Sequence, residues 1–181
     1  MVVLMHRLLS RFLIGTDDMV QLLLKNILIL GMIVPSLGTT SELYTDEQCL
    51  AANIYFEARA ESTKGQKAVA DVTLNRMKHP AFVNQDSVCK VVFTRDQFSW
   101  VKQQPKKVTQ RLLRGDLNGL RDKDVAAYQK VELIAVEALS EGYKPLLPSD
   151  VVNFHNTKVN PRWNMKRYGT IGSHTFYSFK K

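Results

Sequence analysis

The chain has 181 residues, 45% hydrophobic and 23% charged, the balance of a globular domain large enough to bury a core rather than of a disordered or fibrous chain. Its 25 Lys and Arg outnumber 17 Asp and Glu, and the formal net charge of +8 suits anionic partners: nucleic acid, acidic lipid or the anionic polymers of a bacterial envelope. There is no long Lys/Arg block, zinc-finger spacing or RNP-like aromatic motif, so nucleic acid is set aside.

Residues 1–38 differ from the rest. The run LLLKNILILGMIVPSLG carries one charge, Lys25, followed by an apolar stretch from Ile27 to Pro35. That stretch is short for a membrane span and about right for the apolar region of a signal peptide. Ser36 and Gly38 flank Leu37 as a small-x-small cleavage site. The leader ahead of it, MVVLMHRLLSRFLIGTDD, is long and ends in two aspartates, and a start at Met19 gives a more usual signal with Lys25 as its basic end. The expectation is a leader over 1–38, exported by a cleaved signal, and one catalytic domain over 39–181. The alternative is a buried or membrane-anchoring helix.

From Thr45 the pattern turns helical. TDEQ is a capping box with Gln48 at the third helical position, and the helix is expected to run to about Ala60. Leu50, Ile54, Glu57 and Glu61 follow an i, i+4, i+7, i+11 spacing and share one stripe of that helix. Two apolar residues on the stripe want burial, so a carboxylate among them must find partners or have its pKa raised by desolvation. A second box, TKGQ from Thr63, starts another helix with Val69, Val72, Thr73 and Met77 on its buried stripe, ended by His79-Pro80. PKKVTQRLLRGD reads as a short basic helix. DVAAYQKVELIAVEALSEG reads as a long one, with Ala127, Val131, Ile134 and Ala138 on one face and Gly142 as its stop. Beyond Pro148, VVNFHN and SHTFYSF are rich in β-branched and aromatic residues and read as short strands. Helices first and a small C-terminal β element last predict a mostly α, α+β domain.

Cys49 and Cys89 form no CxxC and have no further thiol to complete a metal site. In an oxidising compartment a disulfide closing a loop of about 40 residues would contribute roughly 4 kcal/mol. In the cytosol both would be free core thiols.

For chemistry, Glu57 stands out. Transfer and hydrolytic reactions on sugars need a carboxyl held protonated near neutral pH, which a partly apolar helix face supplies. Asn53 lies one turn before it, and Glu61, one turn after, is a candidate second carboxylate. A solvated or structural glutamate is the competing reading. His155 and His174 lack an HExxH or a close further ligand, so no metal is assigned, and no cofactor motif of the Walker A, GxGxxG or GxSxG kind is present.

The motifs IYFEARAESTKGQKAVADVTLNRMKHPAF, VVFTRDQFSW and NFHNTKVNPRWN…IGSHTFY, in that order over roughly Asp46 to Tyr177, closely resemble the cell wall hydrolase family typified by the spore-cortex lytic enzymes. The resemblance implies a lysozyme-like fold related to lytic transglycosylases, acting on the N-acetylmuramic acid to N-acetylglucosamine bond of peptidoglycan. It implies Glu57 as the catalytic glutamate of an EARGE-type motif, with Glu61 in the second glutamate's place. The motif here reads EARAE, and alanine for glycine at Ala60 suits a helix. It also implies that Gln97, Phe98 and Ser99 of QFSW line the groove beside Glu57, with His155, Asn156 and Trp163 on the opposite wall. Phe98, Trp100 and Phe154 have a competing reading as core, and His174 as a turn histidine.

In that family one glutamate protonates the glycosidic oxygen and then takes the proton of the C6 hydroxyl that closes a 1,6-anhydro ring. A two-carboxylate hydrolase needs a second carboxylate across the sugar. Glu61 is on the same helix side, which leaves Asp96, just before Gln97, as the other candidate. A transglycosylase is therefore favoured over a muramidase hydrolase or a non-catalytic peptidoglycan-binding module. The expected partner is the glycan strand, met by a monomer with no nucleic acid and with membrane contact only through an uncleaved N-terminal segment.

Overall fold

The computed structural model describes residues 43–180, so the leader and its cleavage site lie outside the described residues. Helix α1 spans Asp46–Ala58 and starts as the capping box requires: Thr45 Oγ1 accepts from the Gln48 amide at 3.3 Å, and the Thr45 amide donates to Gln48 Oε1 at 2.9 Å. It ends two residues short of the expected Ala60. Glu61 therefore leaves the helical stripe that Leu50, Ile54 and Glu57 keep.

Helix α2, Thr63–Lys78, is capped by Ser62 and not by Thr63: Ser62 Oγ accepts from the Gly65 amide at 3.3 Å. The reason is visible in Gln66, expected to complete a box from Thr63. Its side chain instead reaches back to the Ala58 carbonyl at 3.3 Å, satisfying an end group of α1. Three shorter helices follow, α3 (Val88–Phe93), α4 (Trp100–Gln103) and α5 (Lys106–Leu113), and then the long α6 (Asp122–Leu139). Among the described residues no helix is long and apolar enough to cross a membrane.

The C-terminal element is a three-stranded antiparallel sheet of β1 (Val151–Asn156), β2 (Met165–Ile171) and β3 (His174–Phe179), in the order β1-β3-β2. The observed class is the expected mostly α, α+β. The sequence reading did not include β2. Its residues, MKRYGTI, are half covered at best, and an edge strand without a buried face shows no apolar alternation.

The main core gathers Leu50 and Ile54 of α1, Val69 of α2, Val91 and Val92 of α3, Leu112 of α5 and Tyr128, Val131 and Ile134 of α6. Cys49 and Cys89 are bonded within it, tying α1 to α3. Removing about 25 cal/mol of unfavourable hydration per Å² of apolar surface drives this assembly. Helix α2 is central: Gly65, Gln66 and the unbroken run from Ala68 to Arg76 are buried, far more than an amphipathic stripe. On one side it joins the main core. On the other, Ala68 and Val72 meet Leu147, Val151 and Phe176, seating the sheet.

Side chains of α2 also grip the backbone of β1 and the chain before it. Asn75 Nδ2 donates to the Pro148 and Val151 carbonyls at 2.8 and 2.9 Å, and Arg76 Nε donates to Val152 O at 2.7 Å. One turn earlier, the Asp71 carboxylate accepts from Tyr143 Oη at 2.8 Å and from the Leu146 and Leu147 amides at 2.7 and 3.0 Å.

Candidate active site

Glu57 sits in the last turn of α1, which is held against two neighbouring helices. Phe56 stacks on Trp100 with ring centroids 4.5 Å apart. Trp100 Nε1 donates to Asn53 Oδ1 at 2.9 Å, and Asn53 Nδ2 donates to Thr73 Oγ1 at 3.0 Å. This buried chain of partners locks α1 against α2 and α4. It explains why Asn53, one turn before Glu57, is fully buried: its amide is satisfied at both ends.

Glu57 lines a cavity of about 690 Å³ between the helical body and the sheet. Gln97, Phe98 and Ser99 line one side of this cavity, and His155 and Asn156 of β1 also line it. Trp163 lies in an adjoining hollow of about 550 Å³, which shares Arg76, Asp96, Gln97 and Phe154 with the first. The two together form one trough. Phe98, 4% exposed, is both wall and core, whereas Trp100, 3% exposed, is core outright. On the β side, His155 Nε2 pairs with Tyr177 Oη at 2.9 Å, and the Trp163 ring meets both residues edge-on at 5.5 and 5.8 Å. His155 Nδ1 lies 2.8 Å from the Asn156 carbonyl, so Nδ1 carries the proton and Nε2 accepts from the tyrosine.

The two candidate second carboxylates are placed differently. Glu61 does not line the trough. It turns to the β2–β3 hairpin, where Ser173 Oγ donates to Oε1 and the Ser173 amide to Oε2 at 3.2 Å. Those bonds, the hydroxyl's above all, hold its carboxyl below the usual range. The expectation of Glu61 on the catalytic stripe fails because α1 stops at Ala58. Asp96 does line the trough, at a left-handed φ of 64°, but pairs with Lys102 and lies 3.3 Å from Arg95 Nε.

Five residues of this lining escaped the sequence reading as site members: Arg76, Lys102, Gln103, Phe154 and His174. Arg76, 4% exposed, gives Nε to Val152 and Nη2 to Asn153 Oδ1 at 2.9 Å, and its guanidinium lies 5.0 Å from the centre of the Phe98 ring. Its Nη1 has no hydrogen-bond partner. Arg76 continues the Val69, Val72, Thr73 stripe, so the spacing that singled out Glu57 singles it out too.

Burial governs the electrostatics. Desolvation raises the Glu57 carboxyl to about 7, although the nearby Arg76 charge opposes the shift. Desolvation likewise lowers Arg76 to about 10, with Glu57 opposing. A carboxyl that is half protonated at neutral pH in an open trough can donate a proton to a bound substrate. Among the described residues no group of three or more His, Cys, Asp or Glu is placed to hold a metal ion.

The family model described as Cell Wall Hydrolase matches residues 60–177. The chain belongs to the cell wall hydrolase family. The match takes in QFSW, His155, Trp163 and His174, while Glu57 lies just ahead of it. The spore cortex-lytic enzyme of Bacillus subtilis is 35% identical over 88 residues, a stretch that spans 46% of this chain and 28% of that relative. Two solved structures are similar to this family member. One is the catalytic domain of the germination-specific lytic transglycosylase SleB from Bacillus anthracis, with TM-score 0.47 and 24% identity over 80% of this chain and 100% of the other. The other is the catalytic domain of the Bacillus cereus SleB protein, with TM-score 0.45 and 22% identity over 79% and 100%.

Proposed function

We propose that this enzyme is a lytic transglycosylase that cleaves peptidoglycan between N-acetylmuramic acid and N-acetylglucosamine and leaves 1,6-anhydro-muramic ends. One observation carries the reading: within a cell wall hydrolase, Glu57 is raised by burial to about 7 and lines a cavity of about 690 Å³ that adjoins a second of about 550 Å³. Glu57 donates its proton to the glycosidic oxygen, the bond to C1 breaks, and the C6 hydroxyl of the same muramic acid attacks C1 as its proton passes to the Glu57 carboxylate. Gln97, Ser99, His155 and Asn156 offer hydrogen bonds to the strand, and Trp163, 45% exposed, offers an apolar face to a sugar ring. Two-carboxylate hydrolysis is the alternative, with Asp96 the carboxylate left for it, since Glu61 is bound to Ser173 and does not line the cavity.

The substrate lies outside the cytoplasm, and the 1–38 segment is the route proposed for reaching it, by cleavage after Gly38 or by anchoring. N-terminal sequencing of secreted protein distinguishes these: a start at Thr39 means cleavage, an intact N-terminus in the membrane fraction means anchoring. The reaction is tested by digesting purified sacculi and weighing the soluble fragments with and without borohydride. Intramolecular transfer gives fragments one water lighter than hydrolysis, with no reducible end. Reducible muramic acid ends would instead show a muramidase hydrolase, and reducible N-acetylglucosamine ends a glucosaminidase.

A further inference from the structure

The hollow of about 550 Å³ beside the catalytic cavity is lined by two arginines, Arg76 and Arg162, and by the amide side chains of Gln97, Asn153 and Asn164. Its one acidic residue is Asp96, whose carboxylate is already taken up by Lys102 and Arg95. The charge of the two arginines is therefore not answered inside the hollow. Arg76 is 4% exposed, and its Nη1 is buried with no hydrogen-bond partner while Nε and Nη2 are both engaged. A guanidinium sunk in protein keeps its charge and is little screened by salt.

Arg162 is exposed, but its neighbours in the chain are fixed. Pro161 restricts the backbone before it, Trp163 packs edge-on against His155 and Tyr177, and Asn164 Oδ1 accepts from Lys180 Nζ at 2.6 Å. The surrounding sequence is one-sided in charge. Residues 151–181 contain Lys158, Arg162, Lys166, Arg167, Lys180 and Lys181 and no Asp or Glu. None of these up to Lys180 forms an ion pair among the described residues, nor does Arg76. The sheet and its connections are a basic element set against the trough.

We propose that the hollow is a carboxylate subsite for the substituent that muramic acid carries, with Arg162 making the contact and Arg76 supplying a fixed charge in the same lining. The proposal rests on the reading that muramic acid occupies the cavity of Glu57. The two spaces share Arg76, Asp96, Gln97 and Phe154, so a group attached to a sugar in one reaches the other. Sugar hydroxyls and acetamido groups are neutral and leave two arginines unanswered. Muramic acid differs from N-acetylglucosamine by a lactyl group on O3, whose carboxyl is either free or amide-linked to a stem peptide that ends in a carboxylate. A planar carboxylate matches the guanidinium fork through two parallel N–H···O bonds. Charged strands should therefore be preferred over neutral ones of the same length.

The test compares soluble glycan strands in three forms. One keeps native stem peptides, one has its carboxylates converted to amides with carbodiimide and ammonia, and one is stripped by an amidase, which frees the lactyl carboxylate. The amide keeps the size of the group and removes its charge. Wild-type kcat/KM on native strands should exceed that on amidated strands by about threefold to tenfold, mainly through KM, and the margin should shrink as salt is raised. In Arg162→Gln that ratio should fall close to one, and Arg162→Lys, which keeps the charge without the fork, should lie between. Stripped strands place the carboxylate: a rate matching native strands assigns it to the lactyl group, and a rate matching amidated strands assigns it to the peptide. A wild-type ratio of one, or an Arg162→Gln enzyme that keeps the wild-type ratio, overturns the proposal. A wild-type enzyme that cleaves none of the three forms, or whose products end in reducible N-acetylglucosamine, overturns the underlying reading instead.

Discussion

Glu61 and Gly172 divide a space that holds one side chain: a Cβ on Gly172 would lie 1.9 Å from Glu61 Oε2 and 3.0 Å from its Cδ. Gly172 is the first of two loop residues between β2 and β3, at φ +58°, the position where a two-residue hairpin of the II′ kind takes glycine. Gly172→Ala should therefore cost about 3 kcal/mol, from left-handed strain and from expelling the carboxylate that Ser173 holds. Urea unfolding checks this. In the Glu61→Ala background the same substitution should cost clearly less, since only the strain remains, and equal costs in both backgrounds would refute the shared-space explanation.

The Glu57 carboxyl predicts a pH-dependent stability difference. Its ordinary pKa of 4.5 is raised to about 7 on folding, so the folded state holds the proton more tightly. Stability from this group is complete below 4.5 and is lost as pH rises through about 7. Glu57→Gln, which never ionises, should match wild type near the lower value and gain on it above the higher one, by up to about 3 kcal/mol. The same variant should lose about 100-fold or more of its lytic rate. Thermal melts across that pH range, beside turbidity assays on sacculi, measure both.

The Cys49–Cys89 bond closes a loop of 40 residues within the core. Reduction, or the Cys49→Ala/Cys89→Ala pair, should lower stability by roughly 4 kcal/mol, mostly by freeing the unfolded chain. Denaturant midpoints with and without reductant read this directly. Protein produced in a reducing cytoplasm should show the lower value until oxidised.

Asp96→Asn should keep most of its activity. Asparagine accepts the left-handed backbone that Asp96 adopts, and the reading asks no nucleophile or base of this residue. A variant with native thermal stability and no lytic activity would move the mechanism toward two carboxylates.

The site was legible where a residue broke its own pattern. Glu57 on an apolar stripe and the QFSW motif pointed to groups that the fold does bring into one cavity. Arg76 broke the pattern of α2 in the same way and went unread, because a basic residue near a helix end is ordinarily solvated or paired with the dipole. Glu61 was misplaced because helical spacing was carried past Ala58, whose carbonyl accepts from the Glu61 amide at 2.9 Å and from the Gln66 side chain, eight residues on. His174 needed tertiary information, since its meaning comes from Glu61, Phe154 and Phe176, which only the closed hairpin brings to it. Strand β2 was invisible for want of a buried face.

The grip of α2 on β1 falls on main-chain atoms: Asn75 holds the carbonyls of Pro148 and Val151, and Arg76 holds that of Val152. Every amino acid has that carbonyl, and the β1 side chains that join the seam are Val151, packed with Ala68 and Val72, and Asn153, which accepts from Arg76 Nη2. His155 and Asn156, further along β1 on the trough wall, can thus be exchanged without loosening the seam that positions them. A library randomised at those two positions should return mostly folded proteins with altered glycan preference. Randomising Asn75 and Arg76, which hold the seam itself, should return mostly unfolded ones. Selection on this scaffold can retune what is bound while leaving what is built alone.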